Sequence, residues 1–159
     1  MKVFNVINAG AFMTKLLTKE DFDDFALEEG KIVTGNTFVI DGRKQKAFFE
    51  EADEEYSDEI VFRSWKNIRP VCYEIIKGKK VPLSVVLTLH APQAILEQLQ
   101  QEALEGMNLR GLMLQVRYEN GNVSMVTGCN LSGFSLDKSA DMLWDKKAEQ
   151  LLSEKGIVL

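Results

Sequence analysis

Asn120-Gly121 stands between two runs that alternate apolar and polar residues, and no other dipeptide in the chain limits the fold so tightly. Both residue types accept the positive φ that a two-residue hairpin turn demands. The turn also fixes a register. Opposing Glu119 with Asn122 places Leu112, Leu114, Val116 and Tyr118 on the same face as Val123, Met125, Thr127 and Cys129, and a slip of one residue would turn that whole set over. An antiparallel sheet with one buried face is therefore expected.

The rest of the chain continues the pattern. Val81 to His90 alternates, with Leu83, Val85, Leu87 and Leu89 on one side and Ser84, Thr88 and His90 on the other. Lys2 to Ile7 also alternates. Gly35-Asn36 suits a hairpin turn between Lys31–Thr34 and Thr37–Ile40, and Asp41-Gly42 is a second turn signal leading into an extended Lys46-Ala47-Phe48-Phe49. Helices are expected in four places. Asn8 caps the first, with Ala9, Phe12, Met13, Leu16 and Leu17 at helical spacing. The second carries Trp65, Ile68, Cys72, Ile75 and Ile76 on one side and ends at Gly78. Asn67 as its cap would put Pro70 in the first turn, where a missing N–H costs little, whereas Ser64 would imply a kink. Pro92 opens the third, which runs from Ala91 to Glu105 and turns Ile95, Leu96, Leu99 and Ala103 inward before Gly106. A short extended Phe134-Ser135-Leu136 precedes the last, which starts near Asp137 or Ser139, aligns Leu143, Lys147, Ala148 and Leu151, and closes at Gly156.

These elements define an α+β fold of mostly antiparallel sheet with about four helices. Residues 1–159 are read as a single domain, a size that needs only one core. Residues 1–49 and 81–136 share an order, strand, helix, then two or three strands, so two βαβββ units are expected, separated by an acidic loop and helix over 50–80.

Composition excludes several classes. The apolar runs are strand-sized and none approaches the roughly 20 residues of a spanning helix, so no membrane partner is expected. An alternating N-terminus in place of a basic patch and apolar stretch argues for the cytoplasm. Cys72 and Cys129 form no Cys-x-x-Cys and are read as reduced thiols. In a cytoplasmic protein the sequons at Asn122 and Asn130 are chance matches. A net charge of -5 opposes whole-surface attraction to nucleic acid, although charge is segregated along the chain. Glu50, Glu51, Asp53, Glu54, Glu55, Asp58 and Glu59 form an acidic run, read as a solvated loop. Arg63, Lys66, Arg69, Lys77, Lys79 and Lys80 follow it as a basic stretch, the candidate binding surface.

Catalytic constellations fail on named residues. His90 is the sole histidine, and with Cys72 and Cys129 it has no zinc-ligand spacing. Its place at a strand end suits capping or surface exposure. Both cysteines fall on apolar faces, where thiols are inert. Lys77-Gly78-Lys79-Lys80 is no phosphate loop, because Tyr73 stands where glycine is needed and the segment follows a helix. The acidic run lacks the alternate ligands and central glycine of a calcium loop. Trp65 belongs to a helical apolar seam, and Trp144, beside Leu143, is open between core and surface. No cofactor is implied. The leading functional reading is a non-catalytic binding or assembly protein, joined to a protein partner or to itself. A nucleic-acid-associated protein, and an enzyme with a carboxylate or His90 site assembled only by the fold, are the alternatives.

Two resemblances bear on this reading. The doubled βαβββ order, with Gly128 to Leu136 ending in Gly-Phe-Ser-Leu, resembles the domain of a DNA sliding clamp. That resemblance implies helices facing DNA, yet the third helix holds Glu97, Glu102 and Glu105 and no cation, and the first offers only Lys15 and Lys19. Asn36-Thr37-Phe38-Val39-Ile40-Asp41-Gly42, Ile68-Arg69-Pro70 with Ile76-Lys77-Gly78-Lys79, and Val126-Thr127-Gly128 with Asp137-Lys138 resemble recurrent stretches of an uncharacterised bacterial family of unknown function. That resemblance implies no activity, cofactor or catalytic residue.

Overall fold

Period-two strands and 3.6-residue helices each present one apolar face, and in the computed structural model, which describes residues 1–57, 61–103, 106–133 and 135–159, those faces meet. The strands are β1 (Val3–Val6), β2 (Ala26–Val33), β3 (Thr37–Asp41), β4 (Arg63–Ser64), β5 (Ser84–His90), β6 (Leu109–Glu119) and β7 (Asn122–Leu131). They form one seven-stranded sheet in the order β1-β7-β6-β5-β2-β3, with β4 also beside β2. Every pairing is antiparallel. Helices α1 (Ala9–Thr18), α2 (Trp65–Ile76), α3 (Gln93–Glu102) and α4 (Ser139–Glu154) complete an α+β fold.

The β6–β7 hairpin forms in the expected register, with Glu119 opposite Asn122 and Val116 opposite Met125. Asn120 and Gly121 take φ of 52° and 76°, as a two-residue turn of this hand requires. Leu114, Val116, Met125, Val85, Leu87, Leu89, Leu27 and Ile32 carry the apolar face across four strands, and all are buried. Each such side chain contributes about 1.5–3 kcal/mol by leaving water. Leu16, Trp65, Cys72, Leu99, Trp144 and Leu152 cover that face from the helices. The opposite face is mixed and partly open, with Val86, Thr88, Gln115 and Ser124 half-buried and Lys31 and Arg117 exposed.

Both tryptophans are core residues with a partner for the ring N–H. Trp65 donates to the Leu16 carbonyl at 3.0 Å and Trp144 to the Met113 carbonyl at 2.9 Å. Trp144 sets the phase of α4. Its buried row is Ala140, Trp144, Ala148 and Leu152, one residue round from the expected Leu143–Leu151 row, because the largest ring takes the inner position. Asn8 caps α1 by accepting the Ala11 N–H at 3.0 Å. Ser64 is the N-cap of α2 and Pro70 lies inside the helix. The carbonyl that loses a donor is that of Lys66. Lys66 and Pro70 are both exposed, so the loss falls on the solvent side.

Two expectations are corrected. Among the described residues neither unit shows its third strand, and the order they share is βαββ. Lys46–Phe48 is a 3₁₀ turn, because the sheet position beside the start of β2 is taken by β4, whose Arg63 and Ser64 pair with Leu27 and Ala26. In the second unit Ser135 and Leu136 belong to no strand, and Phe134 lies outside the described residues, as do Leu104 and Glu105 of the expected third helix. The halves also differ in pairing. β5 lies against β6, whereas β1 lies against β7 and β2 against β5. The β2–β3 connection is Thr34 to Asn36, one residue longer than a two-residue turn.

Candidate cationic and aromatic groove

Gly42 is where the site begins. It leaves β3 so close to β2 that a Cβ there would lie 1.7 Å from the Leu27 carbonyl oxygen. Its N–H donates to the Glu28 carbonyl and its carbonyl accepts the Arg63 N–H, each at 2.8 Å. A β-bulge between Leu27 and Glu29 accommodates the crossing. The chain then runs beside Val61–Arg63, joined by the Lys44 N–H to the Val61 carbonyl at 2.9 Å and an Arg43–Phe62 bridge. This ribbon and the 3₁₀ turn after it stand off from α2, and a groove of about 370 Å³ lies between them.

Its lining combines apolar and cationic side chains. Ile40, Ile68, Val71, Phe48 and Phe49 supply the first, and Arg43, Lys44 and Arg63 the second. Phe48 is 77% exposed and Val71 54%, an uncommon concentration of uncovered apolar surface beside charge. Two smaller hollows, of about 270 and 330 Å³, adjoin the groove and share Phe49 and Glu55. Phe49 holds cations: Lys44 Nζ and Arg63 Cζ lie 5.4 and 5.6 Å from its ring centre.

Glu55 departs from the solvated loop expected of the acidic run. Glu50, Glu51, Asp53 and Glu54 are exposed, but Glu55 turns inward. Its backbone carbonyl accepts from Lys44 Nζ, and its Oε1 accepts from Asn67 Nδ2 and from Arg63 Nε at 3.4 Å. Its Oε2 is buried and has no hydrogen-bond partner among the described residues. Asp58 and Glu59 lie outside the described residues.

The six expected cations are spread over β4, α2 and the loop after it. Arg63 enters the groove. Lys66 borders a hollow lined by Glu20, Asp21, Asp23 and Asp24. Arg69 forms a bidentate pair with Asp23 at 2.7 and 3.0 Å, and that hydrogen bonding holds its guanidinium above its ordinary pKa. Lys77 pairs with Glu74 at 2.7 Å, which raises its pKa. Lys79 and Lys80 are exposed in the loop before β5. As site residues, Arg43, Lys44, Phe48, Phe49, Glu55 and Asn67 are not singled out by the sequence. The signal for the first four is the basic-aromatic run Arg43-Lys44-Gln45-Lys46-Ala47-Phe48-Phe49 immediately before the acidic residues, whereas Glu55 and Asn67 have none beyond the acidic run and the helix start.

His90 is neither a cap nor a free surface group. Its Nε2 lies 3.1 Å from Glu28 Oε2, its ring stacks on Phe62 with centres 4.7 Å apart, and its side chain is 15% exposed. A Cβ on Gly111 would come 3.2 Å from its Nδ1, so glycine admits the ring. Burial pushes the Cys72 thiol up to about 12 and that of Cys129 up to about 11, the latter helped by Asp141 and Asp145. Neither is poised as a thiolate nucleophile near neutrality. Among the described residues, no three His, Cys, Asp or Glu side chains are grouped to hold a metal ion, and no helix is long and apolar enough to cross a membrane.

Residues 15–159 match the family of unknown function DUF5721. The chain belongs to that family. The matched span contains the whole groove, including the ribbon, the 3₁₀ turn and α2. No curated protein and no solved structure matches the chain, and the sliding-clamp likeness, which started from a doubled βαβββ order, is not shown.

Proposed function

We propose that this member of the family is a non-catalytic binding protein of the cytoplasm, and that its groove takes an anionic ligand with an apolar body. The observation that carries the reading is Glu55. Arg63 and Asn67 already hold a carboxylate of the chain's own, and one of its oxygens is buried without a partner among the described residues. An incoming anion would meet the same donors. Charge supports this: three cations and one carboxylate, Asp41, line the groove on a chain whose net charge is -5. Ile40, Ile68, Val71 and Phe48 provide the apolar contact. The enzymatic alternative rests on His90 and Glu28, which stand outside the groove and have no nucleophile paired with them among the described residues. Free thiols at Cys72 and Cys129 accord with a reducing compartment.

The aromatic sulfonate 1-anilinonaphthalene-8-sulfonate is a suitable probe, being an anion on an apolar ring system. Saturable fluorescence enhancement is expected, weakening with salt and falling about tenfold in affinity with Arg43→Gln plus Lys44→Gln. Circular dichroism should match the parent. Unchanged affinity in that folded variant would refute the reading. Nucleic acid is the second reading, favoured by the exposure of Lys77, Lys79 and Lys80. It requires single-stranded oligonucleotide binding that falls steeply with salt and with Lys79→Glu plus Lys80→Glu.

A further inference from the structure

β3 closes one margin of the sheet. It pairs with β2 from Val33↔Thr37 to Glu29↔Asp41, and no strand among the described residues pairs with its other side. The Gly42 N–H points inward to Glu28. Backbone direction alternates with period two along a ladder, so Ile40 and Phe38 also bond inward, and Thr37, Val39 and Asp41 turn their N–H and C=O groups outward. Protein edges are ordinarily guarded by charge, proline or bulges. The only charge on β3 is Asp41 at its end, Thr37-Phe38-Val39-Ile40 has no charge, proline or bulge, Val39 is 63% exposed, and the bulge nearby lies in β2. The opposite margin differs. β1 has four residues, starts beside Lys2, and is followed by Ile7, whose N–H is bonded to the Val158 carbonyl.

We infer that two copies of this chain join through β3, edge to edge and antiparallel, about a two-fold axis at Val39. An axis normal to the sheet keeps both helix layers on one side, so opposed residues must face the same way and the register can shift only in steps of two. Centring on Val39 pairs the whole of β3. Val39 meets Val39 of the partner subunit, Phe38 meets the partner's Ile40, and Thr37 meets the partner's Asp41. All three outward-pointing residues then lie in hydrogen-bonded pairs, giving about six ladder bonds. Charge agrees with this register. Continuing the ladder sets Arg43 against Gly35 and Lys44 against Thr34, so no like charges oppose. The same edge could in principle accept an unrelated extended segment. The self-complementary Phe38-Val39-Ile40 core and the neutral register favour a second copy. The contact is short, in the class below roughly 1,200 Å² that associates transiently.

Sedimentation equilibrium of the pure chain, from about 10 μM to about 1 mM, tests this directly. A monomer–dimer equilibrium is expected. Val39→Pro removes an outward N–H and leaves the β2 ladder intact, a placement that edge strands tolerate. It should raise the dissociation constant at least about tenfold while circular dichroism stays that of the parent. Val39→Lys sets two like charges opposite each other at the axis and should do the same, which keeps the test decisive if the proline variant folds poorly. A parent monomeric at about 1 mM, or a dimer that both folded variants leave unchanged, overturns the inference.

Discussion

Gly42→Ala should be among the most destabilising single-atom additions possible in this chain, and the effect can be worked from three distances. The new Cβ would sit 1.7 Å from the Leu27 oxygen, 2.6 Å from the Leu27 carbonyl carbon and 3.0 Å from the Glu28 oxygen. All three are backbone atoms and cannot rotate away. Reaching even the 3.0 Å limit requires the ribbon and β2 to separate by about 1.3 Å. Two 2.8 Å bonds, Gly42 N–H to Glu28 and Arg63 N–H to Gly42, would then be stretched beyond use. Each contributes about 1 kcal/mol, and forcing the extra methyl into a closed space adds about 1–3 kcal/mol. The expected loss is therefore about 3–5 kcal/mol, or about 6–20 °C in Tm for a chain of this size. Urea unfolding followed by fluorescence measures it, because Trp65 and Trp144 are both buried. Gly35→Ala is the control. Nothing lies within 4 Å of its Cβ position, and the change should stay within about 0.5 kcal/mol. A Gly42→Ala protein within about 1 kcal/mol of the parent would show the close approach to be wrong, and with it the origin of the groove.

Arg69→Met should cost about 1–3 kcal/mol, since it strands Asp23 after removing a bidentate, mostly buried pair; an unchanged urea midpoint would count against that pairing. The cysteines give a pH test. Cys72 titrates at about 12 in the folded chain against 9.0 for the free group, so the folded state keeps the proton longer and the stabilisation present below about pH 9 is lost as pH rises toward about 12. The urea midpoint should fall between about pH 8 and about pH 10 more in the parent than in Cys72→Ala, and equal falls would contradict the assignment. At about pH 8 a disulfide reagent should label Cys129 slowly and Cys72 only on unfolding; immediate labelling of both would contradict their burial.

Legibility in the sequence followed the range of the forces involved. The β6–β7 hairpin was readable because Asn120-Gly121 and the alternation on either side are local and agree. The α4 face was read one residue off, because only packing decides that Trp144, rather than Leu143, faces the sheet. Lys46–Phe49 looked extended from its residues, but a strand needs a neighbour, and the neighbouring position belongs to Arg63–Ser64, distant in sequence. The groove was harder still. Its members come from 40–49 and 63–71, brought together by a bulge at Glu28 and a glycine crossing, and neither has a periodic signature. Arg63 was singled out for its charge, but its partners Phe49, Glu55 and Asn67 were visible only once folded. His90 lay on the polar face as alternation required, while its pairing with Glu28 depends on that same bulge.

Amide-resolved NMR of the labelled chain, titrated with 1-anilinonaphthalene-8-sulfonate, tests the central claim most directly. The account predicts saturable shifts concentrated at Arg43, Lys44, Phe49, Arg63, Asn67 and Val71, with the side chain of Glu55 released as the probe enters. Shifts spread over the open sheet face around Val86, Thr88 and Gln115, with the groove unperturbed, would contradict it.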